Sequence, residues 1–190
     1  MLWTLAAAAG GALLLDRASA VTVRHFRDDL MATLRELRRL RPGCRVVVIG
    51  HSLGGAAAVL ARSRGARVDG LALVATPADL FEVTAGFFSD RGLPGALLVH
   101  AFRPSWRLRA GESFRDLDPE ARARELAGGS IPVTIVQGTL DTRVPPDHAR
   151  RLGRAAGAAV VMVDGAAHKD ILVHPETHAE LIRFLRQEIN

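Results

Sequence analysis

The chain has no tyrosine, one cysteine and, among 25 basic residues, a single lysine; aromatic residues make up 5% of its 190 positions. Each shortage removes a class of protein. A lone Cys44 cannot build an internal disulfide framework, and its place just before a strand suits packing. No Cys and His cluster has zinc spacing, and no glycine-rich loop is built to cradle phosphate, so neither a metal nor a cofactor is expected. The formal charge of +5 is almost wholly arginine, and Arg35, Arg38, Arg39 and Arg41 collect at one helix end. A nucleic-acid groove would interleave such charges with aromatic rings for stacking. The few Phe and Trp lie elsewhere, so nucleic acid is not expected as a partner. The excess of Arg, Ala and Gly over Lys reads as coding bias. The one long apolar stretch, Leu2 to Leu15, is too short to span a bilayer comfortably, which makes a membrane partner unexpected.

What is present centres on Gly50-His51-Ser52-Leu53-Gly54-Gly55. Arg45 to Ile49 carries four apolar residues in a row, three of them valine, and reads as a buried strand. Ala56 to Arg64 is alanine-rich without Pro or Gly and reads as a helix. Gly-x-Ser-x-Gly between a strand and a helix is a nucleophile elbow. The turn is expected to leave almost no side-chain room at Gly50 and Gly54. It holds Ser52 in a strained conformation with its hydroxyl clear of the strand end, under the positive N-terminus of the next helix.

Two more residues complete a pattern. Pro132 to Val136 is a β-branched run followed by Gln137-Gly138-Thr139-Leu140-Asp141, which puts Asp141 just past a strand. Ala159 to Val163 is the next strand, and Asp164-Gly165-Ala166-Ala167-His168 places His168 in the loop after it. Functional groups of open parallel sheets gather at the C-terminal strand ends. Asp164 is the rival acid, but it lies too near His168 along one tight turn for a well-aimed carboxylate. His51 neighbours Ser52, and successive side chains at an elbow diverge, so it reads as packing or capping. His25, His100, His148, His174 and His178 lack a matching strand-end context and read as surface or helix-face residues.

GHSLGG at 50–55, QGTLDTRVP at 137–145 and DGAAH at 164–168, in that order, resemble the α/β-hydrolase superfamily, its serine esterase and serine-peptidase-like branch, over residues 12 to 190. The resemblance implies Ser52 as nucleophile, Asp141 as acid and His168 as general base. A serine hydroxyl needs an imidazole within reach to take its proton; that imidazole then returns it to the leaving group, while the carboxylate holds the tautomer. The backbone N–H of Leu53 would donate one oxyanion hydrogen bond; the second donor has no identified source. Substrate-binding residues are not legible. Relatives with dehalogenase or epoxide hydrolase chemistry carry a carboxylate where this chain has Ser52, which points away from both.

Length and an ordinary balance of 48% apolar to 24% charged residues suit one α/β domain over 1–190, a mostly parallel sheet flanked by helices. Val21 to Leu40 reads as an amphipathic helix with Val23, Phe26, Leu30, Leu34 and Leu37 inward and Arg24, Arg35 and Arg38 outward. Gly70 to Ala75 is a strand. Pro145 to Ala156 and Pro175 to Gln187 are helices, the last expected to bury Leu181, Ile182, Leu185 and Ile189. Residues 76–130 exceed what a crossover needs and mix apolar with charged stretches. By the resemblance they form a helical cap insertion over the active site.

The N-terminus departs from the family pattern. Only 49 residues precede Gly50, enough for a helix end at Leu2–Ala9, a stop at Gly10-Gly11 and one strand at Ala12–Leu15. No His-Gly oxyanion motif lies upstream, so the fold is expected to be N-terminally truncated, with an exposed sheet edge that makes self-association plausible. A competing reading takes residues 1–20 as a signal peptide ending at Ala18-Ser19-Ala20, but no basic residue precedes the apolar run.

The expected activity is cleavage of a small-molecule ester or amide through an acyl-enzyme, in the cytoplasm, or outside it if a signal peptide is present. The alternative is a non-catalytic or remnant member of the fold that binds a ligand without turnover. Thioesterase, acyltransferase or lyase chemistry on the same three residues stays open.

Overall fold

A computed structural model of the protein describes residues 23–101, 112, 116–128 and 131–189. The expected helix end and strand within 2–15 lie outside the described residues. The elements are helix α1 (Val23–Leu40), strand β1 (Val47–His51), α2 (Leu53–Ser63), β2 (Gly70–Val74), α3 (Leu80–Ser89), α4 (Pro119–Ala123), β3 (Val133–Gly138), α5 (Pro146–Ala156), β4 (Ala159–Val163) and α6 (Pro175–Ile189). A further helical stretch covers 95–101.

The four described strands form one sheet in the order β1-β2-β3-β4, with every pair parallel. Alternation along the strands sends successive side chains to opposite faces. Leu71, Leu73 and Ile135 share one cluster with Val59, Ala149 and Leu152, which places α2 and α5 on that face. Val74 and Val136 pack with Leu181 of α6 on the other face. Helices therefore cover both faces, as a fully apolar β2 requires: every residue of Gly-Leu-Ala-Leu-Val is buried. Each Leu removed from water this way contributes about 1.5–3 kcal/mol before entropy is subtracted.

α1 follows its predicted stripe, with Val23 and Leu34 buried and Phe26, Leu30 and Leu37 against the core. It also buries a charge that the pattern does not announce. Arg27 is 4% exposed and holds Glu112 through two hydrogen bonds, at 2.7 and 3.0 Å. Arg38, expected outward, is only partly exposed and reaches Asp69 at 2.6 Å.

α6 departs further from expectation. Its buried residues are Thr177, Glu180 and Phe184. Ile182 is 48% exposed, Leu181 and Leu185 are half-buried, and the side chain of Ile189 lies outside the description. The helix is rotated so that the Phe184 ring lies against Gly70, 3.4 Å from where a β-carbon would stand. The turn also sets Glu180 against the buried Thr134 of β3, whose hydroxyl donates to its carboxylate at 2.9 Å.

Both ends of segment 76–130 are moored to α5. The N–H of Ala78 donates to Nδ1 of His148 at 3.2 Å, and the Ala78 carbonyl accepts from Glu120 N–H at 3.0 Å. Arg151 bridges Glu82 on α3 at 2.6 Å and Glu120 on α4 at 2.8 Å.

Candidate active site

The strand register sets the site. His51, Val74 and Val136 are lateral neighbours across β1, β2 and β3, and Gly138 pairs with Val163 across β3 and β4. In a parallel sheet all C-terminal ends share one rim. Ser52 stands one residue past β1, Asp141 three past β3 and His168 five past β4. The longer the reach to the serine, the longer the loop.

Ser52 has φ 52° and ψ −124°, a positive φ that a side chain adopts at the cost of strain. Its N–H is anchored to Val74 O at 2.9 Å and α2 begins at the next residue. β1 runs two residues further than expected and α2 starts three earlier, so the elbow is a single residue. The packing that permits this involves Gly50 and Gly55. A β-carbon on Gly50 would lie 2.5 Å from Gly55 Cα, and one on Gly55 would lie 1.9 Å from Thr76 Oγ1. At Gly54 nothing lies within 4 Å. The expectation of crowding at Gly54 is thus corrected: Gly54 points away from the sheet, and Gly55, one residue on, faces it.

His168 Nε2 is 3.0 Å from Ser52 Oγ, and its Nδ1 is 2.8 Å from Asp141 Oδ2. An ionised carboxylate only accepts, so Nδ1 carries the proton and the Nε2 lone pair faces the hydroxyl. Asp141 is 3% exposed. Its Oδ1 accepts from the N–H groups of Arg143 (3.0 Å) and Val144 (2.8 Å), and its Oδ2 from Gln137 Nε2 (3.1 Å) as well as His168. Burial alone would push this carboxyl up. The His168 hydrogen bond, the Val144 amide, the His168 charge and the Gln137 amide outweigh it and hold the group below the usual aspartate value.

The His168 loop is fastened to the Asp141 loop. Thr139 and Leu140 donate N–H bonds to Val163 O and Ala166 O, both at 3.0 Å. Gly138 is needed here, because a β-carbon would fall 2.2 Å from Ala166 O. Asp164 is engaged in the same clasp, accepting from Thr139 Oγ1 at 3.0 Å, and it is exposed rather than turned to the imidazole.

His51 does more than pack. Its Nε2 donates to the backbone oxygen of His168 at 3.2 Å, and the two rings lie 5.0 Å apart. Burial and the neighbouring His168 hold it below the ordinary histidine value, so it is neutral at neutral pH. The dipeptide His51-Ser52 thereby grips His168 at both backbone and ring. The other histidines lie away from this contact: His148 is buried at Ala78, His100 packs on Phe81, and His178 donates to Leu172 O at 2.6 Å. His174 accepts from the Glu176 N–H, and His25 is an exposed residue of α1.

Leu53 is the first residue of α2, and the initial N–H groups of a helix have no partner within it. Ser52 directly precedes this helix end, which favours negative charge. Among the described residues no group of three or more His, Cys, Asp or Glu is placed to hold a metal. What the arrangement can do chemically is deprotonate a hydroxyl, stabilise the resulting imidazolium and receive negative charge at a helix N-terminus.

Sequence reasoning missed the Gln137 contact with Asp141 and did not name the residue His51 packs on. A polar residue ending the apolar run 133–136 was the available signal for the first, and adjacency to Ser52 for the second.

The sequence profile of the Alpha/beta hydrolase family matches residues 3–183. The chain belongs to that family. Solved structures share its fold at low identity. An esterase of the planctomycete Thermogutta terrifontis, Est2 with butyrate bound, is 19% identical with a TM-score of 0.65, over 90% of this chain and 68% of that one. The esterase domain of a Rhodothermus marinus protein is 22% identical with a TM-score of 0.56, over 84% and 65%. Rv0554 from Mycobacterium tuberculosis is 19% identical with a TM-score of 0.61, over 90% and 74%. No curated protein matches the sequence significantly. No helix among the described residues is long and apolar enough to cross a membrane.

Proposed function

We propose that the chain is a serine hydrolase that cleaves an ester or amide through an acyl-enzyme on Ser52. The observation that carries this is the continuous contact from Ser52 Oγ through the His168 ring to Asp141, at 3.0 and 2.8 Å. Ser52 Oγ attacks the substrate carbonyl carbon while its proton passes to His168 Nε2. Asp141 stabilises the imidazolium, and the new oxyanion is received by the Leu53 N–H, a type of contact whose loss costs about 2.7–4 kcal/mol. His168 returns the proton to the leaving alcohol or amine as its bond to carbon breaks. Water then repeats the sequence on the acyl-serine and frees the acid. An alcohol or thiol acceptor in place of water would make the same site an acyltransferase.

Segment 76–130 leaves at the end of β2 and returns at β3, between the strands that carry Ser52 and His168. We assign it as a cap over the site, held by His148 and Arg151. The butyrate in the Thermogutta esterase makes a short-chain aryl ester the first substrate to test.

Incubation with a fluorophosphonate probe should label wild-type protein at Ser52 only, with no labelling of Ser52→Ala. The same substitution should lower turnover of 4-nitrophenyl butyrate by about 10⁴-fold or more. Folded wild-type protein that binds the ester but neither labels nor turns over would establish the ligand-binding alternative instead.

A further inference from the structure

Gln137 is wholly buried, at 0% exposure, at the end of a strand that is otherwise mostly apolar. Its Nε2 donates to Asp141 Oδ2 at 3.1 Å and to Val144 O at 3.0 Å, with Gly138 O more distant at 3.4 Å. Its Oε1 has no hydrogen-bond partner among the described residues. The amide cannot be turned over to relieve this, because the oxygen would then face a carboxylate and two carbonyls, acceptors all. A buried acceptor without a partner is destabilising, and the bland solution at such a position is an apolar side chain of the same volume. The protein keeps an amide, and among the described residues the charged group that amide touches is Asp141.

We infer that Gln137 is a positioning residue that sets the plane of the Asp141 carboxylate, and through it the aim of His168 at Ser52. This deepens the hydrolase reading and rests on it. The carboxylate has four donors. Two backbone N–H groups, of Arg143 and Val144, share Oδ1 and fix that oxygen alone. Rotation of a carboxylate about its Cβ–Cγ bond is soft, so a second anchor on Oδ2 is needed to direct its remaining lone pair at the imidazole. Gln137 is the only donor besides His168 on that oxygen among the described residues. Val144 closes the arrangement, since its N–H holds Oδ1 while its carbonyl holds the Gln137 amide. The base is thereby oriented from behind by a group that never meets substrate.

The test compares wild type with Gln137→Met and Gln137→Leu, both of similar volume and both free of the orphan oxygen. Measured quantities are the rate of Ser52 labelling by the fluorophosphonate, kcat and KM for 4-nitrophenyl butyrate, the thermal midpoint, and the downfield proton resonance of His168 Nδ1–H. The expected result is a fall of about 100-fold or less in labelling rate and kcat, the scale of a small misplacement. KM should stay within about twofold and the midpoint within a few degrees, and the resonance should broaden or vanish. A folded variant that labels at the wild-type rate with an unchanged resonance overturns the inference and leaves the hydrolase reading standing. A loss of activity that only parallels a loss of folded protein also overturns it. Wild type that fails to label overturns the hydrolase reading, and this inference with it. Should neither variant fold, hydrogen exchange of the Gln137 side-chain amide in wild type is decisive: protection supports the contact, and exchange at the rate of an exposed amide refutes it.

Discussion

Two non-glycine residues among those described hold a positive φ, Ser52 at 52° and Ala75 at 46°, and both sit at the rim of the sheet. Strain of this kind persists only where surrounding contacts over-determine the backbone. At Ser52 those contacts are the Val74 hydrogen bond and the interlocked Gly50 and Gly55. This makes a contrast that calorimetry can check. Gly55→Ala should cost about 1–3 kcal/mol of stability, because its new methyl meets Thr76 at 1.9 Å. Gly54→Ala should be neutral or stabilising by about 0.5–1 kcal/mol, since it replaces a helical glycine in open space. Equal destabilisation at the two positions would contradict this account. A second substitution bears on His168. Asp141→Asn can no longer accept from Nδ1 without disturbing its own amide, so the imidazole should take the wrong tautomer and kcat should drop about 10⁴-fold. Fluorophosphonate labelling at near wild-type rate would count against that role. From the motif alone, Ser52, Asp141 and His168 were all legible, because each follows a recognisable strand. Gly55 was not, because spacing within a motif does not reveal which glycine faces the next strand.

Among the elements, α5 links the site's supporting sheet to segment 76–130. Arg151 has 21% of its side chain exposed and satisfies two glutamates from opposite ends of that segment. Arg151→Ala leaves both carboxylates without this partner. The expected cost is about 1 kcal/mol, modest because the cluster is partly solvated. The more specific outcome is faster limited proteolysis within 76–130, with cleavage elsewhere unchanged. Helix periodicity located α1 and its stripe well, since one wide apolar face was opposed by charge. It failed for α6, where the buried face carries Thr177 and Glu180 and an isoleucine faces water. A buried threonine and glutamate read as polar surface in the sequence; only β3, with Thr134 in reach, makes that face interior.

At the scale of the whole molecule, burial of titratable groups makes stability depend on pH. His51 and His148 are both held below the usual histidine value of 6.5, chiefly by burial. Around His148 stand Glu82, Asp79, Asp147 and Arg151, whose opposing charges do not offset the burial. The unfolded chain therefore takes up these protons first. Stability is complete above about pH 6.5 and declines as pH falls below it, by up to about 1.4 kcal/mol per unit for each group. Asp141 is depressed below 3.8. Its contribution is present above that value and is lost as pH falls through its folded value, a second stage of decline. Urea midpoints from pH 8 to 3 should show the first stage beginning near 6.5, and His148→Gln should shrink it. A profile that is flat between pH 7 and 5 would be incompatible with a buried His148 and a half-buried His51 both held neutral.

Local chemistry alone determined the strand–turn–helix at Ser52, the alternation of strands and helices, and the chain order of the three site residues. Those features depend on neighbours a few positions away, so the sequence carries them directly. The tertiary structure decided the rest: that a clasp between two loops brings His168 back over β3 to reach Ser52, that His51 meets the His168 backbone, and that an amide at 137 stands behind the Asp141 carboxylate. Each of these is a contact between residues joined only through the folded sheet. Burial and hydrogen-bond geometry there depend on the register of strands that periodicity cannot set.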